Sequence, residues 1–133
     1  MRELKFRAFD KKQKKMLYGV SIGTIKVWDE NAPLISHEFS YSEDCIFEQY
    51  TGLKDNNGKE IYEGDILRLT REVARDKSTL YQVVWNEPMA EFDTKNLDEK
   101  RWDIGYLNET AAKKDYEVIG NIHENPELLK GEE

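Results

Sequence analysis

Gln49–Leu69 reads QYTGLKDNNGKEIYEGDILRL, and this stretch holds the densest backbone instructions in the chain. Asp55-Asn56-Asn57-Gly58 places Asp at the first turn position, Asn at the third and Gly at the fourth. That choice predicts a type I turn followed by a glycine in a left-handed conformation. Such a loop reverses an antiparallel pair and leaves a bulge at the glycine. Ile46 to Tyr50 should run in and Glu60 to Tyr62 should run out. Glu63-Gly64-Asp65 then makes a second bend: Gly64 adopts positive φ at no Cβ cost, and Asp65 is expected to bond the backbone just beyond it. Ile66 to Leu69 begins a new strand. Asp55, Asn57, Gly58, Gly64 and Asp65 are therefore expected to be structural turn residues.

Outward from this stretch the chain keeps the same character. Lys5 to Asp10 alternates, with Phe6 and Ala8 on one side and Arg7 and Phe9 on the other, which reads as a strand. Asp10 to Lys15 is a polar turn, and Met16 to Val20 returns beside it. Thr24 to Trp28 and Leu34 to Phe39 have strand composition. Thr70 to Ser78 is a charged connection. Thr79 to Trp85 is a strong strand with Tyr81, Val83 and Trp85 on one face and Leu80, Gln82 and Val84 on the other. Pro88 closes it, and Met89 to Thr94 pairs back, with Ala90 and Phe92 sharing a face. Trp102 to Leu107 is another strand. Asn108 to Lys114 is a short helix with Asn108 as its cap. Tyr116 to Ile122 is the last strand, and Gly120 inside it signals a bulge or a close backbone approach. Pro126 opens a final helical turn.

Many short strands with regular turn signals and little helix predict a mainly β protein. The expected architecture is a small SH3-like barrel over about Tyr62 to Ile122 packed with an N-terminal antiparallel sheet (residues 1–50), one or two short helices, and a C-terminal helical turn at 126–130. The 133 residues read as one domain, long enough to bury a core without disulfides or a metal.

Composition bounds the function. The chain is 35% charged and carries a net charge of −7, which disfavours binding nucleic acid over its whole surface. The charge is unevenly spread. Arg2, Lys5, Arg7, Lys11, Lys12, Lys14 and Lys15 against Glu3 and Asp10 give residues 1–15 a net of +5, leaving −12 for the remainder. These cations form a solvated hairpin tip or, in a sharper reading, a basic patch for phosphate or an acidic partner; pairing with the acidic remainder of the same chain is a third reading. The single Cys45 cannot form an internal disulfide, so a reducing compartment is expected; in a strand-like run it reads as a small buried hydrophobe. No apolar run approaches the roughly 20 residues that cross a bilayer, and the first residues lack the apolar core of a secretory signal. The expected setting is cytoplasmic, with no membrane partner.

Motifs for chemistry are missing. His37, His123 and Cys45 have no zinc spacing, and no cofactor is expected. Reading the DNNG loop as an EF-hand puts Leu53 first and Gly64 last, neither able to ligate through a carboxylate. No nucleophile elbow, phosphate loop or dinucleotide fingerprint occurs. Glu60, Glu63 and Asp65 are brought together by turns, and paired carboxylates can do acid–base work. The structural reading is stronger: Asp65 caps its turn, while Glu60 and Glu63 face water. Small barrels also bind single-stranded nucleic acid through aromatics and a basic groove. Tyr81, Trp85, Phe92, Trp102 and Tyr106 are available, with Arg68, Arg71, Arg75, Lys100 and Arg101 as the cations. The same aromatics are needed for a core.

Three pieces of this chain, KFRAFDKKQKKM, QYTGLKDNNGKEIYEGDIL and YEVIGNIHENPELL, resemble the YopX family of phage and prophage proteins. They fall in the family's order and anchor both ends and the centre. The resemblance implies a mostly β protein encoded by a phage or integrated element and acting in the bacterial cytoplasm. It carries no established activity and no catalytic residues. The leading expectation is a non-enzymatic module that binds a host or phage protein or itself. A nucleic-acid binder using the N-terminal hairpin or the barrel aromatics is the second, and a hydrolase using the turn carboxylates the third.

Overall fold

A computed structural model describes residues 4–20, 45–70, 79–97 and 104–130. The strands expected at Thr24 to Trp28 and Leu34 to Phe39, the connection after Thr70, and Arg2, Arg71, Arg75, Lys100, Arg101 and Trp102 lie outside the described residues. The chain divides into two compact units, residues 1–49 and 50–133. It is mainly β, with two antiparallel sheets, one of them a half-barrel.

The first unit contains β1 (Phe6–Asp10), β2 (Lys15–Val20) and the first half of β3 (Cys45–Lys54). β1 is central, with β2 on one side and β3 on the other, both antiparallel. Its register sets Arg7 opposite Glu48 and Phe9 opposite Ile46. Asp10 builds the hairpin tip, since its Oδ1 accepts the backbone N–H groups of Lys12 and Gln13 at 2.9 and 3.1 Å. Lys14 completes the reversal at φ +58°, a left-handed conformation uncommon outside glycine and asparagine.

In the second unit, the rest of β3 pairs with β4 (Glu60–Tyr62). β5 (Asp65–Leu69), β6 (Leu80–Asn86), β7 (Glu91–Asn96), β8 (Ile104–Tyr106) and β9 (Tyr116–Asn121) form the five-stranded sheet in the order β8-β7-β6-β5-β9. α1 (Glu109–Asp115) precedes β9, and Asn108 caps it by accepting the Ala111 N–H at 2.9 Å. A 3-10 turn at Pro126–Lys130 closes the described chain. Ile61, Leu67, Val83, Ala112, Tyr116 and Val118 form the core, with Leu53, Leu69, Tyr81 and Phe92 packed against it. Each large side chain buried there contributes about 1.5–3 kcal/mol.

Among the described residues the strands fall within a residue or two of where the alternation places them, and two differences have a local cause. β3 runs on to Lys54 through an irregularity between Tyr50 and Lys54. Gly52 turns there at φ +90°, and the Thr51 hydroxyl donates to Ile61 O and accepts from Leu53 N, so a side chain stands in for the interrupted ladder. The return strand β7 starts at Glu91 instead of Met89, because Ala90 sits at φ +53° in the turn; Ala90 and Phe92 therefore do not share a strand face.

Gly120 is the close approach that its position in a strand suggested. A Cβ built there would lie 2.5 Å from Asn125 Oδ1 and 2.7 Å from Asn125 Cγ. That oxygen accepts the Asn121 N–H at 3.1 Å, so Asn125 cannot move without losing a bond. Gly120→Ala is expected to cost about 1–3 kcal/mol, the range for forcing an extra methyl into a packed site. In an Asn125→Ala background the same change should cost far less. Urea unfolding of the four proteins checks this; equal costs in both backgrounds would rule out the clash.

Candidate functional site

The stretch that organises the fold consumes its own polar groups. Asp55 is 3% exposed. Its Oδ1 accepts the N–H groups of Asn57 and Lys59, both at 2.8 Å, and its Oδ2 accepts the N–H of Val118 at 2.9 Å. Asn56 N–H donates to Tyr116 O at 3.0 Å. The loop thus covers the outer edge of β9, a place where an open strand would otherwise offer unpaired backbone groups. Gly58, at φ +82°, donates to Asp55 O at 3.0 Å, which is the expected turn. Gly64, at φ +91°, donates to Val83 O and accepts from Ile122 N, so the second bend is stitched to strands on either side.

Asp65 caps its turn as expected, from the far side of the bend. It is buried, and its Oδ2 accepts the N–H of Tyr62 at 2.8 Å, so it reaches back across the bend. Glu60 is half-buried and accepts the Tyr62 hydroxyl at 3.1 Å; Glu63 is half-buried and has an interaction of its own. Neither is the freely solvated carboxylate expected. Asp65 and Glu60 bond different groups of Tyr62, and no cluster of three or more His, Cys, Asp or Glu side chains suited to a metal occurs among the described residues.

The basic patch is smaller than the composition suggested. Arg7 is 2% exposed and its Nε lies 2.9 Å from Glu48 Oε1, itself 5% exposed. A guanidinium in a buried ion pair is not available to a ligand. Lys5 is half-buried and engaged. What remains is the exposed tip: Lys11, Lys12, Lys14 and Lys15, none in an ion pair with a described residue. Arg68 pairs with Glu117 at 2.6 Å. Cys45 is half-buried, not fully enclosed.

The β6–β7 hairpin was expected, but the exposure of apolar side chains at its tip was not. Trp85 was expected in the core, yet it is 41% exposed, and Met89 beside it is 63% exposed. Trp85 stacks edge-on against Phe92 across the β6–β7 pair, centroids 4.9 Å apart. The signal was present in the sequence, because Asn86-Glu87-Pro88 puts Trp85 one residue from a turn. On the other face of the same hairpin, Asn86 Nδ2 donates to Asp93 Oδ2 at 2.7 Å. Asp93 is buried, and its Oδ1 has no hydrogen-bond partner within geometric limits among the described residues. Glu91 is held above the ordinary carboxylate range, first by a side-chain hydrogen bond with Asp93, then by partial burial and the repulsion of the Asp93 charge.

No curated protein matches the chain. A solved structure entitled "Crystal structure of protein EF1440 from Enterococcus faecalis" is similar at 28% identity and a TM-score of 0.67, covering 97% of this chain and 99% of that one. A family model described as "YopX protein" matches residues 5–130. The turn residues Asp55, Gly58, Gly64 and Asp65 and the β9 anchor Val118 all fall inside that match, and the chain belongs to the YopX family.

Proposed function

We propose that the protein is a non-enzymatic binding or assembly module, encoded by a phage or prophage and working through a protein interface in the bacterial cytoplasm. One observation carries this reading: polar side chains of the organising stretch are spent on backbone groups, while Trp85 and Met89 stand exposed at a hairpin tip. Exposed aromatic and methionine side chains are over-represented where proteins bind each other. The family resemblance supports the phage setting. Tagged protein should capture a defined protein from infected-host lysate after nuclease treatment, and the Trp85→Ala/Met89→Ala variant should lose it. Capture of nothing, or equal capture by the variant, counts against the reading.

The lysine tip favours a second reading, binding of single-stranded nucleic acid. Four phosphate contacts there would give a log–log salt slope of about −3, at roughly −0.7 per contact. Absence of any oligonucleotide shift at low salt would remove it.

A further inference from the structure

We propose that this chain associates with copies of itself head to tail, the lysine tip of the β1–β2 hairpin of one molecule seating on the β6–β7 tip of the next. The proposal rests on the protein-binding reading above and names its partner as a second copy.

The two tips are complementary in charge and in kind. Lys11, Lys12, Lys14 and Lys15 are exposed on a tip whose own carboxylate, Asp10, is buried and turned to its backbone. Across the β6–β7 tip, residues 86–94 (NEPMAEFDT) contain no cation; of their carboxylates Glu87 is exposed and Glu91 half-buried, while Asp93 is buried and turned to Asn86. Trp85 and Met89 are exposed on this hairpin and offer apolar surface, and Glu87 is exposed between them in sequence. Lysine suits such a surface. Its alkyl stem covers apolar surface while its ammonium reaches carboxylates, and the ammonium is attracted to an indole face.

The tips also have fixed backbones, which lowers the ordering cost of binding. Asp10 and the left-handed Lys14 fix one. In the other, the left-handed Ala90 donates its N–H to Glu87 O at 3.2 Å. Because the two patches differ, the contact is heterologous, and each added molecule leaves a free tip of each kind. Hairpin tips bury far less than the roughly 1,600 Å² of a stable interface, so association is reversible and salt-sensitive.

Sedimentation velocity of the full chain, freed of nucleic acid, tests this at low and high salt. Mass should rise with concentration at low salt, and the affinity should fall about tenfold or more at high salt, as expected for an electrostatic contact. Lys12→Glu/Lys14→Glu should be monomeric, as should Glu87→Lys/Glu91→Lys, with circular dichroism unchanged. Mixing the two variants should restore association, since each reversed tip meets its complement on the other molecule. A wild-type chain monomeric at all concentrations overturns the proposal. So does self-association unaffected by either reversal, or a mixture that stays monomeric. Capture of another protein by a strictly monomeric chain would sink self-association and leave the binding-module reading standing.

Discussion

Replacing Asp55 by alanine is expected to remove about 3–5 kcal/mol of stability, much of what holds a domain of this size together. Asp55 ties a loop to a strand 63 positions away. One oxygen receives two N–H groups of its own turn, and the other receives Val118 N–H at the edge of β9. Hydrogen bonds to an ionised acceptor contribute about 1.5–3 kcal/mol each. Their sum overstates the loss, because water can reach part of the vacated loop. Asp55→Asn sharpens the test. With its oxygen turned to Asn57 and Lys59, the asparagine amide presents an N–H₂ to Val118 N–H, donor against donor. That variant should still lose about 1–3 kcal/mol, the cost of one buried N–H left unpaired. Urea unfolding gives both numbers, and backbone exchange at Val118 should accelerate in both variants. A loss under 1 kcal/mol for the alanine would mean the loop is held by its glycine geometry alone.

What could be read in the sequence divides along the distance between partners. Asp55, Gly58 and Gly64 state their conformations locally: side chain to backbone within four residues, or a φ that few other residues adopt. The Asn108 cap and the close approach at Gly120 are equally local. The Val118 partner of Asp55 was beyond reach, because nothing near either residue marks the other. Asp65 shows the limit even at short range, since an Asp after a glycine bend can reach either way and here takes Tyr62 N–H. Arg7 was misjudged for a nonlocal reason. Its composition suggested a basic patch, but its fate is set by the β1–β3 register that brings Glu48 opposite. Trp85 was assigned to the core by residue type, although its place beside a turn decides its exposure. Sites built from local turn chemistry were legible; sites built from strand register were not.

Arg7→Met and Glu48→Leu are each expected to destabilise the protein by about 3–5 kcal/mol, while the double variant should lose far less than their sum. Both partners are nearly fully buried, 2.9 Å apart between Nε and Oε1, on adjacent strands of the first unit. Removing either leaves the other a charge with no water to solvate it, and that uncompensated desolvation dominates the cost. Removing both takes the penalty away and puts apolar volume in the space, which in comparable buried pairs is near neutral. Both residues make further interactions, so the double variant retains some loss. A double-mutant cycle on urea unfolding should give a coupling of at least about 2 kcal/mol. Arg7→Lys should not rescue, because an ammonium on a flexible stem lacks the planar donor geometry of a guanidinium. Single variants each costing under 1 kcal/mol would mean that water reaches the pair and that strand pairing, not the ion pair, fixes the register of β1 against β3. If the coupling is found, the same two residues that looked like part of a binding surface are what align the strands beneath the lysine tip.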